Sequence, residues 1–118
     1  MRAIHLKCEH ENGRPHGLDV ADRATHRYRS CCWDITPEDA ALLVGGWLYL
    51  HETKKERSYF GGRVLSFDHI RRDDLAHPNR IAFLVEAKAE ARGLRWRGAS
   101  HVMAHCGGVV EADLPHER

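Results

Sequence analysis

The chain has 118 residues, of which 42% are hydrophobic and 30% are charged, a composition typical of one globular domain spanning residues 1–118. Its net charge of +1 gives no global field that would attract nucleic acid, so an anionic ligand needs a local cluster of cations. No apolar run approaches the roughly 20 residues of a membrane span, and MRAIHLKC lacks the apolar core of a secretory signal. These features predict a soluble, cytoplasmic protein with no membrane partner.

The first predicted element is a strand over residues 2–8, where apolar side chains alternate. Residues 9–26 are polar and contain Gly and Pro, which favours a long loop or a meandering connection. Residues 27–33, RYRSCCW, are typical of a second strand because aromatic side chains occupy both of its ends.

A short helix is the clearest local prediction. Thr36 is suited to cap its N-terminus and Pro37 to occupy its first turn. The acidic side chains of Glu38 and Asp39 favour the positive end of the helix. Gly45-Gly46 should end it, since glycine readily adopts a left-handed conformation.

Three more strands are predicted at residues 47–51, 63–70 and 80–87. Gly61-Gly62 is interpreted as the turn before the second of these, and residues 71–79 as a charged connection. After Gly93 the pattern is irregular, with one helical turn at residues 100–105 and a polar, frayed tail from Glu111.

Five or six strands with one or two short helices indicate an α+β fold. Small strand-rich domains usually close or nearly close a barrel, which protects their edge strands. We therefore predict a small, closed or partly open β-barrel. A doubly wound parallel sheet is not expected, because long helices do not alternate with the strands.

The main functional signal lies between two glycine pairs, in GGWLYLHETKKERSYFGGR. Its loop carries Lys54, Lys55 and Arg57, and Arg63 follows the second glycine pair. Cations beside backbone amides of glycine are suited to hold phosphate. We interpret these four residues as ligand-binding; the alternative is an ordinary solvated loop.

Aromatic residues near these cations are candidates for stacking on a base. Tyr59 and Phe60 would point to opposite sides of a strand, and we expect Tyr59 to face outward because its hydroxyl tolerates water. Trp96 lies between Arg95 and Arg97, a pattern that suits a stacking platform with a flanking phosphate contact. The alternative is that Trp96 seals one end of the barrel.

Two histidines complete the candidate site. His101 and His105 are four residues apart, so a helix would place them on one face. His101 is a candidate ligand contact; two surface histidines are the alternative. The sequence has no nucleophile or P-loop motif, so catalytic residues remain unassigned.

The four cysteines are expected to be reduced and mostly buried, because no secretory signal accompanies them. The alternative is a zinc site formed by Cys8, His10, Cys31 and Cys32, whose spacing fits the usual paired-ligand pattern poorly. We therefore predict no metal and no cofactor.

The order of the central elements also suggests a family. A short helix ending in Gly-Gly, a strand, a Lys-bearing loop and the run SYFGGRVLSF resemble the central part of a PUA-like domain of the ASCH or EVE type. The resemblance covers Thr36 to Val85. It implies a β-barrel with a groove that accepts RNA or a modified base.

Three functions follow from these observations. The first is a nucleic-acid or modified-nucleotide binding module whose basic-aromatic loop holds the ligand. The second is a small metal-independent ribonuclease or nucleotide hydrolase. The third is an accessory or inhibitory subunit with a protein partner. The sequence leaves the oligomeric state open.

Overall fold

A computed structural model describes residues 1–98 and 106–112 of the chain. Its nine strands in these ranges are β1 (Arg2–Lys7), β2 (His10–Glu11), β3 (Arg14–Pro15), β4 (Leu18–Asp22), β5 (Arg27–Trp33), β6 (Trp47–His51), β7 (Phe60–Arg71), β8 (Asn79–Ala87) and β9 (Cys106–Glu111). Helix α1 (Pro37–Leu43) follows β5, and a 3-10 turn (Ala89–Ala91) follows β8. None of the helices in these ranges has the length and apolar character needed to span a bilayer.

Seven of the strands form one mixed sheet in the order β4-β5-β8-β7-β6-β1-β9, while β2 and β3 form a separate hairpin. Strands β1 and β6 are parallel, and every other neighbouring pair is antiparallel. The strand-rich α+β class is thus confirmed. Within the described ranges the end strands β4 and β9 do not pair, so closure of a barrel is not seen there.

Helix α1 forms where its local signals predicted it. The Thr36 Oγ1 accepts a hydrogen bond from the Asp39 amide over 3.2 Å, which satisfies one of the free donors of the first turn. After the helix, Gly45 adopts a φ of +82°, a value that glycine reaches without the steric cost of a Cβ. Ala40 and Leu43 are fully buried against the sheet.

Strand β6 is buried on both sides of the sheet. Leu48 and Leu50 face the same core as α1, and we call this side the helix face. Trp47 and Tyr49 point to the opposite side, the far face, where residues 91–94 cover them. This alternation follows from the two-residue period of a strand. The candidate site described below lies on the far face.

The prediction that residues 9–26 form a long loop or connection is wrong, because this segment contains the β2–β3 hairpin and β4. The hairpin turns at Asn12 and Gly13, which have φ values of 54° and 78°. Two consecutive positive φ values are typical of the tight turn that Asn-Gly favours. The Asn12-Gly13 dipeptide was therefore the feature of the sequence from which the hairpin could have been predicted.

The turn predicted at Gly61-Gly62 is also wrong, because both glycines lie inside β7. They pair with Tyr49 and Leu48 of β6. A Cβ on Gly61 would lie 2.7 Å from the Leu48 carbonyl oxygen, and one on Gly62 would overlap the Glu86 carbonyl. Glycine is needed here so that neighbouring backbones can approach closely.

Strand β9 was not predicted. It pairs antiparallel with β1, with Glu111 opposite Arg2, so the polar tail begins no earlier than residue 112. The helical turn expected at residues 100–105 falls entirely within residues 99–105, which lie outside the described part of the chain, as do residues 113–118.

Candidate ligand-binding site

Two segments predicted separately meet at the far face. We call residues 52–59 the basic loop and residues 93–97 the Trp96 segment. Buried Ser58 joins them: its amide donates to the Leu94 carbonyl over 2.8 Å, and its carbonyl accepts from the Gly93 amide over 2.8 Å. Its hydroxyl donates to the Ala91 carbonyl over 2.8 Å and accepts from the Leu94 amide over 3.0 Å. Three of these bonds join Ser58 to the Trp96 segment, and the fourth joins it to Ala91 just before that segment.

Lys54 and Trp96 contact each other across this junction. The Lys54 ammonium lies 5.6 Å from the centroid of the Trp96 ring, within the range of a cation–π interaction. Both side chains are half-buried. The structure thus joins two of the predicted ligand-binding residues.

Other cations surround this contact. Lys55, Arg57 and Arg95 are exposed. The Arg57 Nη1 donates to the Gly93 carbonyl over 2.9 Å, which anchors the side chain through one of the guanidinium N–H donors. Across the described ranges, neither Lys55 nor Arg95 forms an ion pair. Arg95 therefore joins the three predicted loop cations at this surface.

Two buried histidines lie beneath Trp96. The His51 ring meets Trp96 edge-on with centroids 5.2 Å apart, and the His5 centroid is 5.9 Å from Trp96. The His51 Nδ1 donates to the Glu56 carbonyl over 2.9 Å, since a carbonyl can only accept. When His51 is neutral, its Nε2 must then accept the proton of His5 Nδ1, 2.7 Å away.

Burial keeps this histidine pair neutral. It lowers the pKa of His5 to about 3, with smaller contributions from the nearby His51 and the positive charge of Arg97. Burial also lowers the pKa of His51, against the opposing effect of its bond to the Glu56 carbonyl. The uncharged histidine pair therefore packs beneath Trp96 and supports its ring. Sequence reasoning missed both residues.

Arg97 lies beside this cluster but is held by β9. Its Nη1 donates to the Glu111 carbonyl over 2.8 Å, and the side chain is half-buried. A Cβ on Gly107 of β9 would lie 3.1 Å from the Gly98 Cα and 3.1 Å from the Trp96 ring, so β9 approaches this segment closely. Arg97 is near the site, and its phosphate contact stays a prediction.

Tyr59 does not face outward as expected. Its hydroxyl donates to the Cys8 carbonyl over 2.6 Å, and its ring packs against the core and contacts His10 with centroids 4.6 Å apart. Burial raises the pKa of the Tyr59 hydroxyl above its ordinary value. A backbone carbonyl replaces the water that the hydroxyl was expected to require, so both Tyr59 and Phe60 pack inward.

Arg63 lies apart from the basic loop. Its guanidinium is 5.2 Å from the Trp47 ring, and its Nη2 donates to the Gly45 carbonyl over 2.6 Å. Trp47 begins β6 whereas Lys54 follows its end, a separation of at least roughly 13 Å along the strand. The structure therefore does not bring Arg63 together with the loop cations. His101 lies outside the described residues.

The cysteine prediction needs correction. Cys31 and Cys32 form a disulfide, while Cys8 and Cys106 are free thiols. The described ranges contain no group of three or more His, Cys, Asp or Glu side chains arranged to hold a metal ion. Because their thiols are joined, Cys31 and Cys32 cannot act as the thiolate ligands of the zinc alternative in this state.

Comparison with known proteins gives no match: no family model, curated protein or solved structure matches this chain. The resemblance to PUA-like domains therefore stays a prediction, and the site must be judged from its own geometry.

Proposed function

We propose that this chain binds a nucleotide unit of nucleic acid, or a modified nucleotide, where the basic loop meets the Trp96 segment. The observation that carries the proposal is the contact of Lys54 with the Trp96 ring, surrounded by the exposed cations Lys55, Arg57 and Arg95. An aromatic ring beside exposed cations suits a ligand that combines a flat base with a phosphate. The helix–strand–loop order resembling PUA-like barrels supports the same proposal.

Binding would proceed by exchange at the Trp96 ring. Lys54 covers part of the ring in the free protein, and its flexible stem allows the ammonium to move aside. A base that stacks on Trp96 would replace the cation–π contact, and the Lys54 ammonium would then pair with the adjoining phosphate. Lys55 and Arg57 would hold the same or the next phosphate.

The histidine pair prepares the ring for this exchange. His5 and His51 are 2% and 0% exposed and contact Trp96 from below. A ring that is already packed in place loses little conformational entropy when a base stacks on it. Ser58 fixes the loop to the same surface, so the cations and the ring are held together before the ligand arrives.

The ribonuclease and hydrolase alternatives gain no support from the described part of the chain. Its two deeply buried histidines are neutral and covered by Trp96, so they are poorly placed to exchange protons with a substrate. His101, a candidate ligand contact, lies outside the described ranges. The accessory-subunit alternative is an outcome of the binding test below.

A salt titration tests the proposed function. Dye-labelled single-stranded RNA and DNA oligonucleotides and a mononucleotide are titrated with protein, and Kd is measured from fluorescence anisotropy. If three phosphates are neutralised, raising salt from about 50 to 200 mM should weaken binding to a single strand roughly 20-fold. Absence of binding to every probe, or a Kd that does not change with salt, would contradict the proposal and favour a protein-interaction role.

A further inference from the structure

A second concave surface lies away from the proposed nucleotide site. It is an open cleft of about 1380 Å³ formed by the end of β1, the β2–β3 hairpin, β5 and the residues that follow β7. None of its lining residues belongs to the basic loop or the Trp96 segment. Its walls include all four cysteines of the chain: Cys8, Cys31, Cys32 and Cys106.

The disulfide is the reactive group of this cleft. Cys31 is 7% exposed, whereas Cys32 is half-buried, so Cys32 is the more accessible residue of the disulfide. A disulfide stabilises a fold mainly by closing a loop in the unfolded chain, and the effect grows with loop length. A bond between adjacent residues closes almost no chain, so its presence is poorly explained as a structural cross-link.

An arginine is fixed beside the Cys32 sulfur. The Arg72 Nη1 donates to the Cys32 Sγ over 3.9 Å. Its Nε and Nη2 donate to the two Asp74 carboxylate oxygens over 2.9 and 2.7 Å, which holds the guanidinium in a defined orientation. A neighbouring guanidinium favours the thiolate form of a cysteine, so Arg72 is positioned to stabilise negative charge on Cys32.

We propose that Cys31–Cys32 is a thiol-exchange site that reacts with a small thiol entering the cleft. In the forward direction a thiolate attacks the Cys32 Sγ, the Cys31–Cys32 bond breaks, and Cys31 leaves with the electron pair and takes a proton from solvent. A second thiolate attacks the ligand sulfur of this mixed disulfide, and Cys32 leaves as a thiolate beside Arg72. The balance is two thiols oxidised to one disulfide and one protein disulfide reduced to two thiols.

The neighbouring arginine provides a matched control. Arg71 holds Asp73 over 2.6 Å with the same two-residue spacing by which Arg72 holds Asp74. Arg71 is exposed and does not line the cleft. Arg72→Ala and Arg71→Ala therefore remove the same charge and a similar ion pair, but only the first removes the group beside Cys32.

The test uses the whole chain with reduced and oxidised glutathione, and with 2-mercaptoethanol as a neutral thiol. Intact mass and peptide mapping should find the mixed disulfide on Cys32, and oxidised glutathione should re-form the Cys31–Cys32 bond. In the reduced protein, Arg72→Ala should raise the pH midpoint of Cys32 alkylation by about one unit. Arg71→Ala should leave that midpoint unchanged. Arg72→Lys keeps a positive charge and should therefore have a midpoint close to that of the parent protein.

Three results would overturn the proposal. One is an adduct that forms on Cys8 or Cys106 and not on Cys32. Another is a reduced pair that oxidised glutathione fails to re-oxidise. The third is an equal alkylation midpoint in the Arg72→Ala and Arg71→Ala variants, both shown to be folded by circular dichroism. None of these measurements depends on nucleotide binding, so the two proposals fail independently.

Discussion

His5 donates its Nδ1 proton to the Nε2 of His51 across 2.7 Å, inside the domain and beneath Trp96. The bond joins residues 46 positions apart on neighbouring strands. It requires a proton on one facing nitrogen and a lone pair on the other, so protonation of both rings would break it. The far face therefore depends on the neutral state of a histidine pair.

The first prediction concerns the pH dependence of stability. The pKa of His5 is lowered to about 3 and that of His51 is also lowered in the folded protein, whereas an unfolded histidine has a pKa of about 6.5. Below that value the unfolded chain binds more protons, so the free energy of unfolding should be highest above about pH 6.5 and fall as pH decreases toward the folded values. The slope should approach about 1.4 kcal/mol per pH unit for each proton.

Urea unfolding at pH 7.5, 6.0 and 5.0 measures this slope. In the double variant His5→Phe and His51→Leu the slope between pH 6.0 and 5.0 should become shallower, because the two buried titrating groups are gone. The His69→Gln variant, altered at an exposed position on β7, is the control and should retain the parent slope. A double variant with an unchanged slope would contradict the assignment.

The second prediction concerns Gly62. A Cβ at this position would overlap the Glu86 carbonyl, and β8 cannot easily retreat because it is held between β5 and β7. Gly62→Ala should therefore lower the free energy of unfolding by about 2 kcal/mol or more, as overpacking does in a core. In Gly45→Ala the new Cβ has open space and meets only the strain of a φ of +82°, so its cost should be closer to 1 kcal/mol. Equal costs in urea titrations would argue against close backbone approach as the reason for Gly62.

Helix α1 and β6 could be predicted because their signals are local. Thr36, Pro37 and Gly45 mark the two ends of the helix within ten residues, and the apolar run from Trp47 is long enough for a buried strand. The β2–β3 hairpin also had a local signal, Asn12-Gly13, which the polar composition of its surroundings obscured.

The candidate site could be predicted only in part. The sequence identifies the loop cations and Trp96 as chemically suitable, but their contact joins Lys54 to a residue 42 positions later and has no periodic signature. The inward orientation of Tyr59 depends on a single distant acceptor, the Cys8 carbonyl. The His5–His51 bond likewise depends on the register of two parallel strands, which no spacing in the sequence specifies.

The third prediction separates the structural role of Tyr59 from ligand binding. Tyr59→Phe removes the hydroxyl that donates to the Cys8 carbonyl over 2.6 Å and keeps the ring in the core. The free energy of unfolding should fall by about 1 kcal/mol, and Kd for an oligonucleotide should stay within twofold of the parent. A large loss of affinity with unchanged stability would instead indicate that the Tyr59 hydroxyl contacts the ligand.

The fourth prediction concerns Trp96 as the stacking platform. Trp96→Leu keeps an apolar cover over His5 and His51 but removes the flat ring, so affinity should fall by about 1–3 kcal/mol. Trp96→Phe keeps a smaller ring and should lose less. Because Trp33 and Trp47 are only 9% and 5% exposed, quenching of tryptophan fluorescence by a bound base should come mainly from Trp96 and disappear in both variants.

The last prediction concerns the basic loop. Changing Lys54, Lys55 and Arg57 together to Ala should cost little stability, because the loop is anchored through Ser58. The exposed charges of Lys55 and Arg57 usually contribute little, and the cation–π contact of the half-buried Lys54 is worth about 1 kcal/mol. Affinity for single-stranded nucleic acid should fall at least tenfold, since about 1.4 kcal/mol shared among three lost phosphate contacts is enough for that factor. The slope of log Kd against log salt should also become shallower by about 2.

The matched control removes three exposed arginines from other elements, Arg14, Arg23 and Arg71. It changes the net charge by the same amount, so a general electrostatic effect would weaken binding equally in both triple variants. Loss of affinity confined to the Lys54, Lys55 and Arg57 variant would place the phosphate contacts in the basic loop. If both variants bind like the parent while Trp96→Leu does not, the ligand is recognised by its ring alone and the cations serve only to keep the loop solvated.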